Sequence, residues 1–279
     1  MFAPYLRVFK FTGEVFGMIK DNPRLLAPSA MNLALATVAS IVLAVVYAFA
    51  SEYQALGFLV LAVGVSGLYF IDYLMGAMTV SLVYDQVTTG EASLGQAASR
   101  TFRASPGILV FAAISGALDL LASYARERRD ILASILLMVV RAVWTTAVYV
   151  LMPAMVIEGT GFFGAFKRSK QLMKEDPTQV GVGVVGIGIV TYLLGAVVFT
   201  LAFGALQAVP IPLVGVLIFF MLVNVYWTVS GFLKSVYYTC FYLWARECEQ
   251  RGAADPSFAP RPLANALSDL SMQPAAVGY

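Results

Sequence analysis

MIKDNPRLLAPSAMNLALATVASIVLAVVYAFA, residues 18–50, decides the fold of this chain. It opens on a short polar stretch, passes a proline, and then runs through residues 31–50 without one charged side chain. A hydrocarbon core about 30 Å thick is crossed by about 20 apolar residues in a helix. Inside lipid a lone segment can satisfy its backbone groups only as a helix. Residues 31–50 therefore read as a transmembrane helix. The run starts too late, behind a mixed aromatic and charged segment, for a secretory signal, so this helix is expected to stay in the membrane.

The same order recurs twice. RTFRASP at 100–106 and LMKEDP at 172–177 again set basic residues before a proline and apolar sequence after it. Residues 180–205 are uncharged, while 55–84, 131–157 and 211–245 hold a single charge each, Asp72, Arg141 and Lys234. A shorter run near 105–124 holds Asp119. The expected fold class is all-α: a polytopic integral membrane bundle of six transmembrane helices as three helical hairpins, each preceded by an amphipathic interfacial helix. The repeat-like units fall at about 1–90, 91–160 and 161–251. The last helix should run past its span toward Arg251. Residues 252–279, with Pro256, Pro260, Pro262 and Pro274, are expected to form a disordered cytoplasmic tail.

Composition supports the membrane reading. The chain is 60% hydrophobic and 12% charged, where soluble domains carry roughly a quarter charged residues. A formal charge of +2 points to no nucleic-acid partner. The absence of histidine removes histidine-ligated metal and haem and any imidazole acid–base step. GVGVVG at 181–186 lies inside an apolar span with no strand before it, so it reads as packing rather than a nucleotide loop. Cys240 and Cys248 are eight residues apart on one expected helix, about 12 Å, too far for a disulfide. No catalytic, cofactor-binding or metal-ligating residue is expected.

Lys and Arg counts set the expected orientation. Thirteen fall on the side that carries both termini and three on the other, all three in Arg126–Arg129. The asymmetry places N- and C-termini in the cytoplasm, with the Arg126–Arg129 turn as an exception. Near the termini Tyr5, Phe9, Phe16 and Ile19 recur at helical spacing, as do Phe162, Phe166 and Met173. Such helices lie in the interface with their basic heads snorkelling outward. Arg7, Lys10, Lys20, Lys167, Arg168, Lys170 and Lys174 are the expected contacts with anionic headgroups of the cytoplasmic leaflet. Tyr237, Tyr238, Tyr242 and Trp244 look like an inner aromatic belt, and Lys234 is expected to snorkel.

Charges inside the spans need partners, because a lone charge at mid-depth costs at least a few kcal/mol. Asp119 and Arg141 lie eleven residues either side of position 130, so a hairpin turning there brings them to one depth. They are expected to form a structural intramembrane ion pair, with a gating or proton-coupled site as the alternative. Asp72, Thr145 and Thr228 align at similar depth on three helices and form a candidate polar path; equally, the three helices could satisfy one another. Trp144 and Trp227 are deep in their spans and expected to face the bundle. Ala112 and Gly116, four apart, and the glycines of 181–195 read as close-packing faces.

The segment 125–176 resembles a family of prokaryotic six-span membrane proteins of unknown function, DUF6159. The resemblance is carried by the RERR turn, Trp144, and the spaced residues Pro153, Val156, Glu158, Gly159, Gly161, Ala165 and Lys167-Arg168-Ser169. YDQVTTGEASLGQAASR at 84–100 is similar to the family's second loop. The resemblance implies a prokaryotic cell (inner) membrane protein and brings no catalytic residue with it. Together these readings give a non-enzymatic integral membrane protein, a scaffold or accessory subunit of a membrane complex that meets the bilayer and other membrane subunits. The alternative is a transporter or an amphiphile- or lipid-binding permease.

Overall fold

The computed structural model describes residues 3–128, 131–175, 177–252 and 255–267, with backbone alone for 3–9, 146, 149, 172–175, 177–186, 212, 256 and 266–267. Nine helices follow in order among the described residues: α1 Ala3–Asp21, α2 Ala27–Ala50, α3 Gln54–Thr89, α4 Leu94–Glu127, α5 Ile131–Glu158, α6 Phe162–Glu175, α7 Pro177–Ala208, α8 Pro212–Arg251 and α9 Arg261–Leu267. Short 3-10 turns at Pro23–Leu26 and Pro256–Phe258 join α1 to α2 and α8 to α9. No strand occurs among the described residues. Six helices, α2, α3, α4, α5, α7 and α8, are long and apolar enough to cross a membrane.

α3 and α8 are the central helices. α3 packs against α2, α4, α5 and α8, and α8 also meets α2, α5 and α7. The contact of α3 with α4, which join two expected repeat units, is the most extensive in the molecule. Small residues permit it. A Cβ on Gly116 would lie 2.2 Å from Ser66 Oγ and 3.2 Å from Ser66 Cα, and Ala112, one turn earlier, is fully buried. Dispersion and close backbone approach hold helices together in lipid, so these positions admit little beyond hydrogen or methyl.

Two of the three expected elbows are present. Asn22 accepts from Arg24 N at 3.2 Å, donates to Gln86 Oε1 at 2.8 Å, and leads through Pro23 into α2. Pro177 begins α7. The middle one is absent: Pro106 lies inside the continuous helix α4, and no separate interfacial helix precedes that span. The proline removes the N–H that Phe102 would have received. Ser105 Oγ takes up that carbonyl instead, at 2.8 Å, so the helix continues.

Helix length exceeds what a bilayer needs. The 36 residues of α3 and 40 of α8 extend about 54 and 60 Å. Along α3, α5 and α8 the side chains are largely exposed or half-buried from the turn end to Tyr73, Val148 and Thr228, and largely buried beyond. Those residues lie 19, 17 and 16 positions past the first residue of each helix, or about 24–29 Å. The exposed zone thus matches one hydrocarbon thickness. Beyond it lies a base, the end carrying α1 and α9, where two apolar clusters pack α1, α6 and α9 onto the long helices.

Two expectations change at the base. Tyr237, Tyr238, Tyr242 and Trp244 are buried core residues there rather than a lipid-facing belt, because α1 and α9 lie over this part of α8. Phe11 stacks edge-on against Tyr237 at 5.3 Å. Residues 255–267 are folded rather than disordered: Leu263 is buried, Trp244 Nε1 donates to Asp255 O at 2.9 Å, and Asn265 reaches Glu14 Oε1 at 2.8 Å. Residues 268–279 of the expected tail lie outside the described residues.

Candidate functional site

Four polar constellations lie on this frame, two in the exposed zone and at its lower edge, two in the base. The first is built by Asn32 of α2, Asp72 of α3 and Thr228 of α8. Asn32 Nδ2 donates to Asp72 Oδ1 at 3.0 Å and reaches Thr228 Oγ1 at 3.5 Å. Asn32 and Asp72 are each 18 residues from the turn end of their helix, about 27 Å, which places the group at the lower edge of the exposed zone. A cavity of about 10 Å³ beside them is also lined by Ser29, Thr79 and Ser235. That is the lower bound for one water molecule. Lys234, expected to snorkel, is half-buried on α8 and interacts electrostatically with Asp72.

Thr145 does not join that row. Trp144 points inward, where its Nε1 donates to Ser115 Oγ at 2.8 Å and its ring meets Phe111 edge-on at 5.9 Å. One residue further is about 100° further round a helix, so Thr145 is exposed on the other face of α5. It lines an open cleft of about 630 Å³ between α4 and α5, together with Arg126, Met138 and Arg141. The candidate path is thereby split between a closed polar site and an open cleft. Trp227, also expected to face inward, is 48% exposed.

The second constellation is Asp119 with Arg141 and Tyr69. Arg141 Nη2 lies 2.6 Å from Asp119 Oδ1, and Tyr69 donates to Asp119 Oδ2 at 2.5 Å. The structure so brings the two opposite charges together and adds a hydroxyl from α3. Three helices are tied at one point, about 15 Å along α5 from its first residue. Sequence reasoning missed Tyr69, because nothing in the apolar run distinguishes it from the neighbouring aromatics.

In the base, Arg168 of α6 forms a fork with Glu249 of α8 at 2.8 and 2.6 Å, and its Nε lies 3.2 Å from Glu158 of α5. Tyr242 also donates to Glu158, and Gln171 donates to Glu249 at 3.2 Å. Hydrogen bonding to Glu249, then to Glu158, holds the Arg168 proton above its ordinary range. The expected headgroup contact of Arg168 is therefore replaced by two carboxylates. Ala165 and Ser169 face inward, which sets Arg168 on the flank of α6 while Lys167 and Lys170 point out. Gly159, at φ +65°, makes the turn between α5 and α6, a conformation that favours glycine.

A second basal group has Arg100 Nη1 on Asp85 Oδ1 at 2.6 Å and Ser81 Oγ at 3.1 Å. Arg100 and Arg246 both lie over the Tyr84 ring, at 5.3 and 6.0 Å. Lys10 and Lys20 are exposed, whereas the Arg7 and Lys174 side chains lie outside the described ones. Among the described residues no group of three side chains suited to a metal ion comes together.

The spaced residues from Pro153 to Ser169 can now be placed. They build the α5–α6 turn and the Glu158–Arg168 contact. The profile of a family of unknown function, DUF6159, matches residues 55–252, from the start of α3 to the end of α8. The chain belongs to the DUF6159 family. The match is wider than residues 84–100 and 125–176, which carry the likeness in sequence, and it takes in all of α8 with Tyr242 and Glu249. No curated protein and no solved structure matches the chain. What DUF6159 supplies is therefore membership and not an activity; the membrane architecture rests on the six long apolar helices of this chain.

Proposed function

We propose that this multi-pass membrane protein is a non-enzymatic scaffold or accessory subunit of a membrane complex, set in a prokaryotic cell membrane with its base and both termini in the cytoplasm. The observation that carries this reading is the base itself. Helices α3 and α8 extend well beyond one hydrocarbon thickness, and the extension is packed as a core, clamped by Arg168 and closed by α1 and α9. A protein that only needed to cross the bilayer has no use for such a body. A rigid body on the cytoplasmic side suits partner docking. The orientation follows the excess of Lys and Arg at the base.

Lys167 and Lys170, exposed on α6 beside exposed Phe163 and Phe166, are assigned to anionic headgroups of the inner leaflet. Absence of an own enzymatic activity is supported by the carboxylates. Asp72, Asp119, Glu158 and Glu249 are each engaged by a neighbouring side chain within the fold. The transporter reading draws support from the open α4–α5 cleft, but it needs a path through the bundle. The separation of Thr145 from Asp72 and Thr228 speaks against one.

Native mass spectrometry of the protein gently extracted from its own membrane tests the choice. A protein partner in fixed stoichiometry, released when charge-reversing substitutions are placed on the exposed face of the base, is the expected result. A lone chain under the mildest extraction, with uptake of an amphiphile into vesicles, would overturn the scaffold reading.

A further inference from the structure

Arg126 and Arg128 set two basic residues at the end of the bundle away from the base, against the charge asymmetry of the rest of the chain. Directly below them α4 and α5 part into the open cleft of about 630 Å³, a volume within the 300–1,000 Å³ usual for small-molecule sites. Arg126 lines its mouth; Ile131, Ile135 and Met138 form its wall, and Ala142 lies deeper. We propose that this cleft binds an anionic membrane lipid, with the phosphate at Arg126 and an acyl chain along Ile135 and Met138 toward Ala142.

The layout matches a head and a tail. Arg126 sits at the turn end, and Arg141 is ten residues into α5, about 15 Å deeper. The cleft therefore spans one leaflet, from headgroup level to near the bilayer midplane. Its wall is apolar and open: Met138 is 64% exposed and Ile135 51%. Arg141 is not the anion receptor, because Asp119 already lies 2.6 Å from it. Arg126 differs: its hydrogen bond goes to Ser123 Oγ of its own helix at 3.3 Å, an exposed contact that leaves donors of the guanidinium fork facing outward. That fork suits phosphate oxygens. Of the neighbouring charges, Arg128 lies over the Tyr124 ring at 4.6 Å, and Glu127 does not line the cleft. The charge exception in the turn is thereby explained as recognition in the leaflet opposite the base. A partner helix is the weaker occupant, since a helix seated there would set an apolar residue against the mouth arginine.

The test uses the full chain in nanodiscs of phosphatidylcholine with a minor fraction of phosphatidylglycerol, and counts lipid retained on release into the mass spectrometer. Selective retention of phosphatidylglycerol is expected. Arg126→Gln should lower it about tenfold, the worth of one charge-assisted hydrogen bond. Met138→Trp fills the trough without changing any charge and should lower it as well. Arg103→Gln, which removes an exposed positive charge far from the cleft, should leave it unchanged. Soluble glycerol phosphate in excess should not displace the lipid, because the chain contributes to binding. The proposal fails if phosphatidylcholine is held as tightly, if neither Arg126→Gln nor Met138→Trp changes retention, or if glycerol phosphate alone displaces it.

Discussion

The same helices obey two sets of rules above and below the line through Tyr73, Val148 and Thr228. Above it, α2, α3, α5 and α8 expose Val42, Phe58, Leu132 and Met221, and helices meet through small residues and a few polar ties. Below it, Leu82, Met152, Met155 and Val236 are buried in clusters like those of a soluble domain. The upper half faces a solvent as apolar as its own side chains, so apolar burial there supplies little driving force. The lower half lies beyond one hydrocarbon thickness and has water to exclude. Stability of the two halves should therefore respond to different substitutions.

The upper half should be most sensitive to charge. Arg141→Leu leaves Asp119 without its cation at mid-depth of the membrane and should destabilise the protein by about 3 kcal/mol, the cost of a lone charge there. Adding Asp119→Asn should recover most of that loss. Thermal unfolding of the purified variants in nanodiscs reads both. Additive losses in the double variant would mean that Asp119 and Arg141 act independently, and that the upper half is held by something other than this tie.

The lower half should be most sensitive to volume. Leu82 is fully buried and lies 28 residues past the start of α3, about 42 Å along the helix. Leu82→Ala should cost about 3 kcal/mol, the middle of the range for cavity formation in a core surrounded by water. The same unfolding measurement decides. A loss below about 1 kcal/mol would place this stretch of α3 in a loosely packed or lipid-like setting, and the division proposed here would be wrong.

This division also explains what could be read from sequence. The spans were legible because absence of charge over twenty residues has one physical meaning in a helix. Asp119 and Arg141 were legible for a related reason: the cost of an isolated charge in lipid forces a search for its partner, and hairpin arithmetic supplies the depth. Tyr69 and Asn32 were harder. Asn32 is the lone carboxamide in 31–50 and carried a usable signal, whereas Tyr69 is one aromatic among several. The base was the least legible part. Tyr237, Tyr238, Tyr242 and Trp244 are residues that both a membrane interface and a soluble core favour, and only the neighbours brought by α1 and α9 decide between them. Arg168 failed in the same way, since a basic residue on a surface helix looks alike whether it faces phosphate or Glu249.

The smallest effect is the sharpest test of the upper half. Val42 is 54% exposed on α2 and eight residues from its turn end, about 12 Å deep. In a bilayer its side chain exchanges lipid contacts for lipid contacts on unfolding within the membrane. Val42→Ala should therefore change stability of the purified protein by less than about 0.5 kcal/mol, although a valine removed from a water-excluding core would cost two or three times as much. Because the effect of lipid is nearly nil, any larger cost must come from protein lying on this face. If Val42→Ala is silent in the isolated chain but lowers the unfolding temperature of the protein in its native membrane, α2 is covered there by another chain. The upper half would then take part in the assembly, and the docking surface would not be confined to the base.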